Sequence, residues 1–200
     1  MKFNYIVIER EYASGGTEIG KLVADKLDID CYGKEIPEQT AERIHIPIER
    51  IMELEENATG SLLYSLSRMT TSFMAGSGRD INSFEKVILE EMETIRKLSG
   101  NGPAVFVGRS AAKVLADRDD VLKVFIHASN DFREHRGMKV YKVCKSEIKE
   151  TIKRYDRRRA SFYKENFGTD WKNYADYDLV LDSSVLGIEK CAAVIAECAK

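Results

Sequence analysis

The chain has few prolines, no paired cysteines and no hydrophobic run long enough to cross a membrane. Three prolines in 200 residues leave most helices unbroken. The four cysteines form no C-x-x-C pair and no histidine cluster accompanies them, which argues for reduced thiols and against a metal site. No apolar stretch approaches the roughly 20 residues of a membrane-spanning helix, and no leader-like segment precedes the first strand. We therefore expect a cytoplasmic protein with no membrane partner.

The chain also lacks a large charge of one sign. Its formal net charge is −2, although 32% of its residues are charged. A chain this close to neutrality has no overall attraction to nucleic acid or to an anionic membrane. The 44% of hydrophobic residues is enough to fill a core, and 200 residues suit one domain with a small insertion.

Short apolar strands alternate with amphipathic helices along the chain. Strands are predicted at residues 4–9, 29–32, 103–107, 121–127 and 177–181. Helices are predicted at residues 17–27, 83–98 and 185–198, the last with Val185, Ile188, Ala192 and Ile195 on its inner face. Residues 35–80 are predicted to be mainly helical but less regular, and a basic helix is predicted to run to about Val143. This alternation predicts a parallel sheet covered on both faces, with ligands bound beyond the carboxyl ends of its strands.

The segment after the first strand is a polar turn with paired glycines, from Arg10 to Thr17. A strand, a glycine turn and a helix together bring backbone N–H groups and a helix N-terminus to a phosphate. The turn is a degenerate form of the P-loop G-x-x-x-x-G-K-[ST]. Arg10 replaces its first glycine, Gly15 fits the second, Gly16 replaces the lysine, and Thr17 fits the hydroxyl that binds Mg²⁺. Arg10 is a candidate for the missing cation; the alternative is a turn whose glycines only relieve backbone strain.

A second candidate position follows the predicted strand at residues 103–107. Arg109 comes directly after that strand, between Gly108 and Ser110. An arginine at the carboxyl end of a parallel strand is well placed to contact a ligand. The alternative is a salt bridge across the edge of the sheet.

Two basic clusters follow farther along the chain. The first contains Arg133 and Arg136 at helical spacing, and the second places five cations around Asp156 within residues 153–159. Phosphoryl transfer needs cations to spread negative charge, and like charges on one helix repel unless an anion lies between them. The alternatives are solvated helix faces, or a single-stranded nucleic acid stacked on the aromatic residues of 162–171. The near-zero net charge favours a small phosphorylated ligand and makes nucleic acid the weaker hypothesis.

Five blocks of the chain together resemble the cytidylate kinase-like branch of the P-loop nucleoside monophosphate kinases. In order, these blocks are residues 10–20, 107–110, 119–126, 156–163 and 177–184. The resemblance implies a three-layer α/β/α P-loop NTPase-like fold with a five-stranded parallel sheet. It implies one domain, with a core of residues 1–34, 83–145 and 173–200, an NMP-binding insertion at about 35–80 and a helical lid at about 146–172. The implied activity is transfer of the γ-phosphoryl group of ATP to CMP or dCMP with Mg²⁺.

The resemblance also implies a role for individual residues. The donor phosphates would be held by Ser14, Gly15, Gly16 and Thr17, with Thr17 also on Mg²⁺. The acceptor would be bound by Arg109 and Asp156. The catalytic cations would be Arg10, Arg133, Arg136 and Arg159.

Four positions depart from the family pattern. Gly16 stands where cytidylate kinases have the P-loop lysine, and Thr17 stands where this branch usually has arginine. Val107 and Gly33 each replace an aspartate. These changes remove a phosphate cation and up to two carboxylates, so two hypotheses stay open. One is a kinase acting on a pyrimidine monophosphate, and the other is a non-catalytic module that binds a nucleotide or another phosphorylated ligand. The sequence does not assign the oligomeric state.

Overall fold

The computed structural model describes residues 1–51 and 83–200, and most of the predicted NMP-binding insertion lies outside these residues. Five strands form one sheet: β1 Tyr5–Arg10, β2 Asp30–Tyr32, β3 Ala104–Val107, β4 Val121–His127 and β5 Leu179–Asp182. Their order is β2-β3-β1-β4-β5, and every pairing is parallel. The predicted five-stranded parallel sheet is confirmed.

Helices connect the strands. In the described residues they are α1 Gly16–Leu27, α2 Glu35–Ile44, α3 Ser83–Ser99, α4 Ala111–Val114, α5 Asn130–Lys139, α6 Ile148–Phe167, α7 Ser183–Leu186 and α8 Ile188–Ala199. Residues 48–51 are also helical, and a short 3₁₀ turn spans Tyr174–Asp176. No helix within residues 1–51 or 83–200 is long and apolar enough to cross a membrane.

A separate hydrophobic core lies on each face of the sheet. On one face, Ile6 and Ile8 pack with residues of α1 and α8. On the other face, Tyr5 and Val7 pack with residues of α2 and α3. Neighbouring residues of β1 alternate between these cores because side chains of a strand point to opposite faces in turn. The result is the three-layer α/β/α arrangement, and burial of both faces explains the continuous apolar strands.

The predicted closing helix is wrong in one respect. Gly187 has φ 80° and separates α7 from α8, so residues 185–198 do not form one continuous helix. Val185, predicted to face inward, is 78% exposed because this break takes it out of phase with Ile188 and Ala192. Two further boundaries differ from the predicted ones by two residues or more: β5 begins at Leu179 after the 3₁₀ turn, and α5 ends at Lys139.

Candidate functional site

The glycine loop joins the carboxyl end of β1 to the start of α1. Gly15 has φ 86°, which favours glycine, and a Cβ there would collide with Cδ1 of Ile188. No side chain in the described part of the chain caps α1. The first N–H groups of a helix have no partner within it, so the N-terminus of α1 offers donors and a positive dipole end to an anion.

Arg10 crosses beneath this loop instead of reaching over it. A Cβ on Gly16 would lie 2.5 Å from the Cβ of Arg10 and 2.7 Å from its Cγ, so the arginine stem fills the space that a lysine stem would need. The guanidinium of Arg10 lies against Gly108, at the carboxyl end of β3. Burial lowers the pKa of Arg10; the charge of Glu9 partly offsets this effect, and the charge of nearby Arg109 lowers the pKa further. The structure thus explains why glycine follows Gly15, and it places the Arg10 cation away from the start of α1.

The cation beside the glycine loop is Arg136 of α5. Its Nε and Cζ atoms each lie 3.6 Å from the position that a Cβ on Gly15 would occupy. One Nη2–H donates to Oε2 of Glu18 at 2.8 Å, whereas Nε is buried and has no hydrogen-bond partner among the described residues. A buried N–H without an acceptor is costly. A phosphate oxygen at the loop would supply that acceptor, so the loop and Arg136 fit a polyphosphate.

A cleft of about 250 Å³ opens next to the glycine loop, between α3 and α6 at the carboxyl ends of β1 and β3. Among the described residues, four arginines line it: Arg10, Arg109, Arg158 and Arg159. The apolar part of its wall includes Val87, Ile88, Met92, Phe162 and Phe167. A cleft with clustered cations and an apolar wall suits a small ligand that carries both an anion and a flat or apolar group.

Two carboxylates from residues 1–51 and 86–200 also line this cleft. Glu9, at the end of β1, is 2% exposed, and its Oε1 accepts a hydrogen bond from the hydroxyl of Tyr163 at 2.6 Å. Burial, followed by the nearby charge of Glu9, raises the pKa of Tyr163 well above its ordinary value, so this tyrosine remains a neutral donor. Glu91 of α3 pairs with Nη1 of Arg109 at 3.0 Å. Neither glutamate is among the site residues predicted from the sequence; an ionisable residue at the end of an otherwise apolar strand was the available signal for Glu9.

Arg159 connects α6 to the end of β1. Its Nη1–H donates to the backbone oxygen of Arg10 at 3.1 Å, and Nη1 lies 3.6 Å from Oδ1 of Asp156. Burial, and next the like charge of Arg10, lower the pKa of the Arg159 guanidinium. Two cations held this close in a partly buried cleft favour binding of an anion, since an anion relieves their repulsion.

Arg133 and Asp156 face the protein itself. Nε of Arg133 donates to the backbone oxygen of Tyr12 at 2.8 Å, and its Nη2 binds Oδ2 of Asp156. Oδ1 of Asp156 accepts from the backbone N–H of Tyr12 at 2.8 Å. Nη1 of Arg133 lies 3.3 Å from Oε2 of Glu11, a buried carboxylate that also binds Lys172. Asp156 is not among the residues that line the cleft, so its predicted contact with an acceptor stays a prediction.

The remaining predicted site residues lie on the loop and around it. Thr17 is exposed in the first turn of α1. Ser14 is fully buried, and its hydroxyl donates to the backbone oxygen of Glu11 at 2.9 Å. Val107 faces the core, where its Cγ2 lies 2.5 Å from the position of a Cβ on Gly20. Within the described ranges, no group of three or more histidine, cysteine, aspartate or glutamate residues is arranged to hold a metal ion.

A model of the cytidylate kinase-like family matches residues 5–185, and the chain belongs to this family. The comparison with curated proteins finds no match. Among solved structures, an uncharacterized protein from Eubacterium ventriosum ATCC 27560 has 19% identity and a TM-score of 0.72, with 98% of this chain and 97% of that chain covered. Shikimate kinase from Bacteroides thetaiotaomicron has 15% identity and a TM-score of 0.53, with 97% and 96% covered. These likenesses confirm the P-loop kinase fold.

Proposed function

We propose that the protein is a phosphotransferase that transfers the γ-phosphoryl group of ATP to a pyrimidine nucleoside monophosphate, CMP or dCMP. The glycine loop would hold the donor phosphates, and the cleft between α3 and α6 would hold the acceptor. Family membership supports phosphotransferase chemistry in general. The resemblance of the sequence blocks to cytidylate kinases supports the pyrimidine acceptor.

One observation carries the proposal: cations from separate elements surround two adjoining places at one edge of the sheet. Arg136 lies beside the glycine loop with a buried Nε that has no partner among the described residues. Arg10, Arg109, Arg158 and Arg159 converge on the cleft from β1, the turn after β3 and α6. Phosphoryl transfer requires stabilisation of charge on both the transferring group and the groups flanking it, and fixed arginines supply it without reorganisation.

The chain's own residues would divide the work as follows. Arg136 and the N–H groups at the start of α1 would bind and orient the donor phosphates. Arg109 and Arg159 would bind the acceptor phosphate, each kept in place by a contact of its own, to Glu91 and to the Arg10 carbonyl. The apolar wall of the cleft would exclude water, which protects the transferring group from hydrolysis.

Thr17 is the residue that would hold Mg²⁺. Its hydroxyl is exposed at the start of α1, and in P-loop enzymes a Ser or Thr at this place binds the ion together with waters and the substrate phosphates. When bound, the ion would neutralise charge on the donor phosphates.

A second candidate is a module that binds a nucleotide or another phosphorylated ligand without turnover. The position of Arg10 favours it, because the loop cation of related kinases is replaced by a stem that points to the cleft. Val107 favours it too, because its side chain packs in the core and supplies no carboxylate.

The experiment that separates the two is a coupled assay for ADP release from ATP and Mg²⁺, with CMP, dCMP, UMP and AMP offered separately. Stimulation by CMP or dCMP supports the proposal, and stimulation by another acceptor alone corrects the substrate. Binding of ATP without turnover with any acceptor supports the binding module. We expect Arg109→Ala and Arg159→Ala to abolish turnover while the fold is kept. Arg118→Ala is the matched control, since Arg118 pairs with Asp120 away from the cleft.

A further inference from the structure

The first part of the glycine loop is held from outside by side chains of two helices. Arg159 of α6 binds the carbonyl of residue 10, Asp156 of α6 binds the N–H of Tyr12, and Arg133 of α5 binds the carbonyl of Tyr12. Three backbone groups within three residues are thus taken by side chains that lie more than 100 positions away in sequence. A loop held this way depends on the docking of α5 and α6 for its shape.

Arg133 and Asp156 act on the same residue from both sides. Together they occupy the N–H and the carbonyl of Tyr12, and they bind each other through Nη2 and Oδ2. Charge-assisted hydrogen bonds of this kind are stronger than neutral ones, and a bidentate arginine adds a fixed geometry. The side chain of Tyr12 is held as well, because its ring stacks on Tyr155 of α6 with centroids 4.5 Å apart and planes 11° apart.

Neither member of this pair lines the cleft. Arg133 is 3% exposed and is surrounded by Asp156, Glu11 and the carbonyl of Tyr12. The part of α6 that lines the cleft includes Tyr155, Arg158, Arg159 and Phe162, whereas Asp156 points to the loop. Both oxygens of Asp156 thus accept from internal donors, which favours a role in holding the loop over the acceptor contact that the family resemblance implies.

We propose that Arg133 and Asp156 form a positioning pair that keeps the glycine loop in its phosphate-binding shape while α6 is docked. Binding of the donor phosphates is then coupled to the docking of α6. When α6 undocks, the N–H of Tyr12 loses the carboxylate of Asp156 as its hydrogen-bond acceptor, and the loop loosens. The link from this pair to donor phosphates rests on the proposed function, whereas its effect on the loop itself does not.

The first test measures backbone hydrogen exchange in the protein without ligand. In Asp156→Asn we expect the peptide covering residues 10–17 to exchange about tenfold faster or more, because a charge-assisted bond to Tyr12 and the pairing with Arg133 are weakened. Arg133→Lys keeps the positive charge but loses the fork, and we expect the same peptide to respond. Glu150→Gln is the matched control on α6, where Glu150 is exposed and pairs with Lys153 at 3.2 Å. Unchanged exchange in both variants would overturn the positioning pair.

The second test measures binding of ATP and of CMP separately by calorimetry. We expect Asp156→Asn to raise the Kd for ATP about tenfold and to leave the Kd for CMP within about twofold. A rise in the Kd for CMP alone would instead make Asp156 an acceptor contact. Faster exchange with an unchanged Kd for ATP would overturn the coupling to donor binding.

The two tests distinguish a failure of the positioning pair from a failure of the proposed function. If the wild-type protein bound neither ATP nor CMP, the proposed function would fail, and the exchange test would still decide whether the pair positions the loop. The double variant Asp156→Asn with Arg133→Lys sharpens the result, because residues that act as a unit show effects that do not add. Additive effects on exchange would mean that the two side chains hold the loop independently.

Discussion

Arg133 and Arg136 lie one turn apart on the same helix, and the structure uses them in opposite ways. Arg133 is 3% exposed, and all three of its nitrogens contact oxygen atoms of the protein. Arg136 binds Glu18 with Nη2, but its Nε is buried beside Gly15 without a partner among the described residues. All nitrogen atoms of the Arg133 guanidinium thus have acceptors in the protein, whereas Nε of Arg136 has none among the described residues.

This difference shows that an arginine cluster is not a functional unit merely because its members share a helix face. Residues three apart on a helix are neighbours, so spacing suggests a common role. The partners come from other elements, however: Arg133 meets the loop after β1 and α6, and Arg136 meets the start of α1. Tertiary contacts decide which cation is available to a ligand.

Replacement of Arg133 should have the largest effect on stability. Arg133→Ala removes the buried cation that lies between the buried carboxylate of Glu11 and the partly buried carboxylate of Asp156, and we expect the free energy of unfolding to fall by about 3–5 kcal/mol. Arg136→Ala should lower it by less than about 1 kcal/mol, because its partner Glu18 is exposed. Urea unfolding of the two variants makes the measurement. Equal losses of unfolding free energy in the two variants would mean that the two arginines contribute equally to stability, which would contradict this prediction.

Replacement of Arg136 should have the larger effect on turnover. For Arg136→Gln we expect kcat/KM to fall about 10²-fold, because a preorganised donor to the phosphates is lost while the fold is kept. Steady-state kinetics at varied ATP, with a melting curve for each protein, make the test. Arg96→Gln is the matched control, since Arg96 is exposed and pairs with Glu93 at 3.7 Å. Full activity in Arg136→Gln would show that its orphaned Nε has no part in donor binding.

Arg10 extends the comparison to a third arginine, whose stem fills the space beside Gly16. Gly16→Ala places a methyl group 2.5 Å from the Cβ of Arg10, and we expect a loss of about 1–3 kcal/mol in the free energy of unfolding. Arg10→Gly should remove that conflict, because it takes away both the Cβ and the Cγ, so the double variant should be more stable than the sum of the single effects predicts. Urea unfolding of the wild-type protein, the two single variants and the double variant measures the coupling between the two positions. If the losses in unfolding free energy add, the strain in Gly16→Ala does not come from Arg10.

The smallest effect should come from Lys172, which shares the carboxylate of Glu11 with Arg133. The Lys172 side chain is 42% exposed, so solvent and salt screen the pair. We expect Lys172→Gln to lower the free energy of unfolding by no more than about 1 kcal/mol, and by less still in high salt. Unfolding at two salt concentrations checks this. A loss that does not depend on salt and is as large as that of Arg133→Ala would contradict this expectation. It would mean that the solvent exposure of a partner of Glu11 does not decide how much that partner contributes to stability.

The fold was predictable because its signals are local. Apolar runs predict the buried strands, and the periodic residues of α1 and α3 predict those helices with ends within one residue of the observed ones. Among the described residues the wrong element is the closing helix, which depends on Gly187, whose positive φ interrupts a pattern that looks continuous in sequence. Glycine permits such a break without requiring it, so periodicity alone does not reveal it.

The sequence predicts which residue types form the site, but it does not predict which of these residues contact one another. The sequence by itself determined that a glycine turn follows β1, that Arg109 follows β3, and that arginines populate α5 and α6. Only the tertiary structure decided that Arg10 points to Gly108, that Arg136 lies beside Gly15, and that Asp156 binds the backbone of Tyr12 across 144 residues of sequence. The physical reason is that strand order and helix docking bring these groups together, and local propensity carries no information about contacts between distant segments.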